Sequence, residues 1–429
     1  MKKLLIDDFL FDTFNSKRIR TKPRFLDISL YGDYVADELK FWSIDYSDIG
    51  INKSFVGEDG GIHDRLKIAY SVFEPKNITK IIPTIILFHG VPVNRREWYD
   101  VAILLSRFMR VITVDLLGMG DSSKPLDFED DDGYSYWKWR VHATIYKNMI
   151  NDFKVTNPGW FINGKIFMGA NDWGTGMVQK YVEMFGEEDL HGALIASAIS
   201  LDGYWVQHIG SLKALKDLPY PSDTFTVESV RFQGVLTSLL ETMFHNTPDI
   251  QNQYSMALMQ DPYVEISYSD VNKNPDNTIY KSHAVRVLAQ QASYALGNGE
   301  LLPHHSTKNS NGIYFTKFNI PILMIWGKND KMMPEGQVQK FSNIFHVVNY
   351  ARYINNIPSN LTFSKQIIKD AGHFAASDQP EIFADSVIHW VRDIIGSEYL
   401  NTAYVGMTEI ARQDEDHVIS SLNKLYEKK

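Results

Sequence analysis

Apolar and polar positions along the chain alternate between two rhythms. Near-continuous apolar runs at Ile81–His89, Arg110–Asp115, Lys165–Gly169, Gly192–Ile199, Ile320–Trp326 and Thr362–Ile368 stop at Gly, Asn, Asp or His and predict buried strands. Between them the apolar residues recur every three or four positions, the spacing of a helix face. Such stretches lie near Trp98–Phe108, ahead of Lys165, from Trp173 to Phe185 (Met177, Val178, Tyr181, Val182, Phe185) and near Pro380–Ile395. Two further strand-like runs, near Glu38–Tyr46 and Leu66–Phe73, flank a turn carrying Gly57, Gly60 and Gly61. Buried strands alternating with helices imply a mainly parallel central sheet flanked by helices, the α/β class.

The alternation fades between about Tyr204 and Asn311, where Tyr, Gln, Asn and Pro are frequent and helical patches occur at Val227–Phe244 and Ser282–Ala295. This predicts an inserted helical cap. The resulting division is an N-terminal extension (1–35), the first part of the core (36–203), the cap (204–311), the second part of the core (312–399) and a C-terminal amphipathic helix (400–429). No internal repeat is evident.

Composition narrows the possibilities. A chain of 429 residues with 44% hydrophobic residues suits one large domain with an inserted lobe. Its net charge of −9 argues against a nucleic-acid partner, which needs clustered Lys and Arg. The absence of cysteine excludes disulfides, thiolate metal sites and thiol nucleophiles. Asp7 and Asp8 interrupt the first apolar run, which argues against a secretory signal. No segment approaches the roughly 20 apolar residues of a membrane span. A cytoplasmic protein without a membrane partner is therefore expected.

Candidate chemistry sits at strand ends. In Ala170-Asn171-Asp172-Trp173-Gly174 a small residue stands two before Asp172 and a glycine two after it, between a predicted strand and helix. A sharp strand-to-helix turn requires that frame, because its central residue is strained and flanking side chains would collide. His89, Asp330 and His373 also follow predicted strands directly. In an open parallel sheet that is where functional residues gather. Alone, Asp172 reads as a helix N-cap, Asp330 as a turn residue and His373 as structural. The order Asp172, Asp330, His373 is that of nucleophile, acid and histidine in a strand–turn–helix elbow.

With those residues in view, the chain resembles the α/β-hydrolases of the haloalkane dehalogenase and epoxide hydrolase branch over about 80 to 395, the cap excepted. The matching stretches are HGVP (89–92), DLLGMGDSSKP (115–125), NDWG (171–174), WGKND (326–330) and AGHF (371–374). The resemblance implies that Asp172 forms an alkyl ester with an electrophilic carbon and that water activated by His373 hydrolyses it. Asp330 would orient the imidazole, with Asp202 as the alternative acid. The backbone amides of Val91 and Trp173 would form the oxyanion hole, and His89 would shape that loop. No cofactor or metal is implied, and His304-His305 lacks a third ligand at suitable spacing. The expected partner is a small apolar molecule with an electrophilic carbon.

The leaving group stays open. Trp173 could aim its indole N–H at a halide, but dehalogenases carry a second donor, an Asn in the HGxP loop or a Trp in the cap. Here the loop residue is Val91, the cap offers Trp205, and Asn94 is a possible substitute. Epoxide opening instead needs cap phenols, for which Tyr204, Tyr220, Tyr254, Tyr263, Tyr268 and Tyr294 are available. DLLGMGDSSKP favours a dehalogenase; the Tyr-rich cap and Val91 favour an epoxide hydrolase. A non-catalytic hydrolase fold used for binding is the third alternative. The acidic run Glu129–Asp132 reads as a solvated loop.

Overall fold

A computed structural model describes residues 34–36, 39–50, 55–56, 62–90, 93–123, 139–198, 307–308, 314–315, 320–330, 333, 363–368 and 371–401. Nearly all of the expected cap, the extension before residue 34 and the expected terminal helix lie outside them. Nine strands form the main sheet: β1 (Tyr34–Ala36), β2 (Lys40–Asp45), β3 (Arg65–Pro75), β4 (Thr84–Phe88), β5 (Arg110–Val114), β6 (Ile166–Asn171), β7 (Leu190–Ala196), β8 (Ile322–Gly327) and β9 (Phe363–Ile368). Their order is β1-β3-β5-β4-β6-β7-β8-β9, with β2 also pairing β3. Every pairing from β5 through β9 is parallel, while β1, β2 and β5 meet β3 antiparallel.

The reason for this arrangement is visible in burial. All residues of β4, β5, β6 and β8 are buried, as befits central strands covered on both faces. By contrast β2 alternates, with Trp42 and Ile44 turned inward. Tyr34–Ala36 belongs to the sheet, so the ordered core reaches back to the end of the expected extension.

The helices pack in pairs. α1 (Tyr99–Leu105) lies against the last helix, α5 (Pro380–Ile395), and α2 (Trp139–Thr156) lies against α3 (Trp173–Phe185). A short α4 (Ala375–Asp378) precedes α5. α5 starts with Pro380 in its first turn, where the missing N–H costs nothing, and stops at Gly396 with φ 95°. Edge-on ring contacts tie α5 to its surroundings, Phe383 meeting Trp98 just before α1 at 5.7 Å and Trp390 meeting Phe167 of β6 at 5.1 Å. The helix expected near Trp98–Phe108 is shorter than its apolar spacing suggests. A 3-10 turn, Arg95–Trp98, capped by Asn94 Oδ1 accepting from the Arg96 N–H at 3.0 Å, occupies its approach.

Among the described residues no helix is long and apolar enough to cross a membrane, and no cluster of His, Cys, Asp and Glu is arranged to hold a metal ion.

Candidate active site

β6 ends at Asn171 and α3 begins at Trp173, leaving Asp172 alone to turn the chain. Its backbone sits at φ 44°, ψ −115°, a region L-residues avoid. Although Asp172 stands at the helix N-cap position, its side chain makes no capping hydrogen bond. The bland explanation for an aspartate here is thereby removed. Gly174 shows why the frame is needed. A Cβ there would sit 2.8 Å from the His89 carbonyl oxygen, 2.9 Å from that of Phe88 and 3.2 Å from the Ala170 Cβ. The helix start is pressed against the end of β4, and only glycine at 174 permits it.

The three residues ordered along the sequence converge. His373 Nε2 lies 3.4 Å from Asp172 Oδ1, and His373 Nδ1 lies 3.0 Å from Asp330 Oδ2. All three side chains are buried, with the ring at 0% exposure and Asp172 at 5%. Asp330 is itself fixed, since its Oδ1 accepts the Met333 N–H at 2.8 Å. Burial opposes charge on the ring, but Asp330 and then Asp172 outweigh it and push the His373 pKa up to about 10. The two acids facing the ring thus favour its protonated form.

Two more contacts position this pair. Ser197, the residue directly after β7, donates its hydroxyl to the His373 carbonyl oxygen at 3.0 Å. Its own φ is 40°, a second strained residue at the site. Thr175 Oγ1 donates to the Asp172 carbonyl oxygen at 2.5 Å and braces the turn from inside α3. Nothing in the local sequence of Ser197 announces this role; it arises because β7 lies between β6 and β8.

His89 serves structure. Its Nε2 accepts the Leu116 N–H at 2.9 Å, so Nδ1 carries the proton and donates to the Gly90 carbonyl oxygen at 2.6 Å. Burial lowers its pKa, keeping it neutral. It staples the backbone at 89–90 to the 115–123 loop. The latter is built round buried Asp115, which holds the Arg95 guanidinium and accepts the backbone N–H groups of Arg95 at 2.7 Å and Asp121 at 2.8 Å. Burial acts against the Asp115 charge, but Arg95 and the other donors prevail and its pKa is lowered. Ser122 Oγ accepts the Ala69 N–H and donates to the Asp115 carbonyl oxygen, closing the loop on β3. The described part of DLLGMGDSSKP is thus held by contacts that stabilise the fold.

Trp173 opens α3 with its ring 5.0 Å from that of Trp139. Asn94, weighed as a halide donor, spends its side-chain oxygen on the cap described above. Val91, Asp202, Tyr204, Trp205, the other cap tyrosines, His304-His305 and Glu129–Asp132 lie outside the described residues.

A mostly parallel sheet with an elbow residue, a histidine and a second acid at its strand ends defines the α/β-hydrolase class. A family model described as alpha/beta hydrolase fold matches residues 83–380, and the chain belongs to that family. It is 43% identical over 54 residues to a fluoroacetate dehalogenase from a Burkholderia species, a match covering 13% of this chain and 18% of that protein. A putative non-heme chloroperoxidase from Synechocystis is 29% identical over 116 residues, covering 27% of this chain and 36% of the relative. The chain thus spans well under half the length of either curated relative. A solved haloalkane dehalogenase, DbeA from Bradyrhizobium elkani, is similar with a TM-score of 0.50 and 13% identity, covering 83% of this chain and 99% of that one. At that identity the likeness is one of fold.

Proposed function

We propose that this α/β-hydrolase-fold protein is a dehalogenase-like hydrolase that cleaves a carbon–halogen bond through a covalent ester on Asp172. The observation carrying the reading is the 3.4 Å approach of His373 Nε2 to a carboxylate on a strained elbow, with Asp330 behind the ring. The local identity to a fluoroacetate dehalogenase supports it.

A carboxylate oxygen of Asp172 attacks the sp3 carbon, and the halide departs with the bonding electrons. The resulting ester is uncharged. His373 then loses one of the two anions that held its proton, while burial continues to oppose its charge. Its pKa falls and it releases a proton to solvent, becoming a base only after the first step is complete. Water attacks the ester carbonyl carbon as Nε2 takes its proton, and Asp330 stabilises the renewed imidazolium. The tetrahedral oxyanion lies against the helix-opening amide of Trp173 and the amide of Val91. Collapse expels the alkoxide, which takes the imidazolium proton and leaves as alcohol; the Asp172 carboxyl proton then passes to the neutral His373, restoring the starting state with one net proton released. The substrate is a small apolar molecule, and no cofactor or metal takes part in these steps.

The test is intact-protein and peptide mass spectrometry of the His373→Gln protein after exposure to a panel of haloalkanes, haloacids and epoxides. An alkyl mass on the Asp172 peptide, with halide released, supports the reading. A diol product with an epoxide-derived adduct reassigns the leaving group. No adduct with any member of the panel overturns the nucleophile assignment.

A further inference from the structure

Glu97 is a buried carboxyl with no part in the steps above. It sits in the 3-10 turn Arg95–Trp98 at 1% exposure. Its Oε2 accepts the Gly90 N–H at 3.0 Å, while Oε1 has no complete hydrogen bond. Gly90 is all that separates it from the nucleophile turn: a Cβ at residue 90 would lie 2.8 Å from the Asp172 Cβ, 3.2 Å from Asp172 Oδ2 and 3.4 Å from Asn171 Nδ2. The Asn171 amide leans toward the carboxyl without closing a hydrogen bond. From the other side, Ser377 in α4 donates to the Glu97 carbonyl oxygen at 3.2 Å, four residues beyond His373. Glu97 therefore holds the Gly90 amide beside the elbow and is itself held by the segment that follows His373.

We infer that Glu97 is a positioning residue that fixes the Gly90 amide, and with it the loop opposite Asp172, while its ionisation tunes the charge held by His373. This rests on the proposed roles of Asp172 and His373.

The charged neighbours set the direction. Burial, the dominant influence, raises the Glu97 pKa to about 8, the Gly90 N–H and His373 pull it down, and Asp172 pushes it up. On the Glu97 turn itself the Arg95 guanidinium is held by Asp115 and Asp121. His89, on the Gly90 side, is neutral. At neutral pH the Glu97 carboxyl thus holds its proton beside Asp172. Esterifying Asp172 removes that repulsion and, by neutralising His373, also removes the larger attraction, so Glu97 keeps its proton until the ring is charged again. As the ring takes its proton from water, its charge draws Glu97 toward ionisation, and a second anion comes to face the imidazolium.

The experiment follows the His373 ring resonance by NMR in the full chain labelled with 13C-histidine, assigned with His373→Gln, for wild type, Glu97→Gln and Glu97→Leu. This readout does not require turnover, so it separates failure here from failure of the proposed reaction. The wild-type curve should show a second inflection near the Glu97 pKa of about 8. Glu97→Gln, which still accepts the Gly90 N–H, should lose that inflection, titrate His373 at lower pH and keep most of its turnover. Glu97→Leu should also lose it and drop turnover by about tenfold or more, the scale of stranding a buried donor. An unchanged His373 titration in both variants overturns the charge role. Equal turnover of Gln and Leu variants overturns the positioning role.

Discussion

Ser197 Oγ donates to the carbonyl oxygen of His373 at 3.0 Å from a backbone held at φ 40°. One residue accepts unfavourable geometry so that the histidine segment is held from below. The two contributions are separable. Ser197→Ala should lose the hydrogen bond and keep the strain, while Ser197→Gly loses the bond and relieves the strain. The glycine variant should be the more stable of the two by about 1 kcal/mol, in chemical denaturation, because left-handed backbone costs an L-residue about that much. Both should turn over more slowly than wild type.

Removing the base should stall the second step. With His373→Gln, substrate should release one equivalent of halide per enzyme and then stop, with a loss in kcat on the order of 100- to 10,000-fold. Rapid-quench measurement of halide distinguishes this burst from a slow steady rate; equal slowing of both phases contradicts it.

The raised His373 pKa also fixes how stability changes with pH. The folded protein keeps a proton up to about pH 10 that the unfolded chain releases near 6.5. The stabilisation is complete below the unfolded value and disappears as pH rises through the folded one. The denaturation midpoint of wild type should therefore fall between about pH 7 and pH 10 more steeply than that of His373→Gln. Asp172→Asn, which mimics the charge of the esterified site, should titrate His373 at a lower pH than wild type by NMR.

Gly174 allows an unambiguous steric test. Gly174→Ala places a methyl 2.8 and 2.9 Å from two carbonyl oxygens of the 88–89 backbone, which has no flexible end to move aside. A loss of roughly 1–3 kcal/mol in stability is expected, together with a displaced Asp172 and a larger loss of turnover. Wild-type kinetics in this variant would show that the elbow is less tightly framed than its distances indicate.

Breaking the buried Arg95–Asp115 pair should cost about 3–5 kcal/mol, since Asp115→Asn leaves an uncompensated guanidinium inside the protein. Thermal denaturation measures this directly. A smaller effect is expected for Asp121, which is partly exposed.

The strands were legible because a strand covered on both faces is apolar without interruption: Ile320–Trp326 was expected and Ile322–Gly327 is found. The helix Pro380–Ile395 was legible to the residue, since proline and glycine mark its ends. Asp172, Asp330 and His373 could be singled out because each follows a strand and the order is diagnostic. Glu97 and Ser197 could not. Their importance depends on what lies across the sheet, and neither spacing nor composition encodes that neighbour. The 3-10 turn at Arg95–Trp98 was hidden for the same reason, its apolar residue Trp98 fitting the helical rhythm that follows.

β7 and β8 are adjacent and parallel, with Ile322 opposite Ala193, although a long stretch of chain separates Ala196 from Ile322. The sheet closes behind that departure as though nothing had been added. The intervening chain beyond Ala198 can therefore change in length and sequence without altering the pairing of β7 with β8.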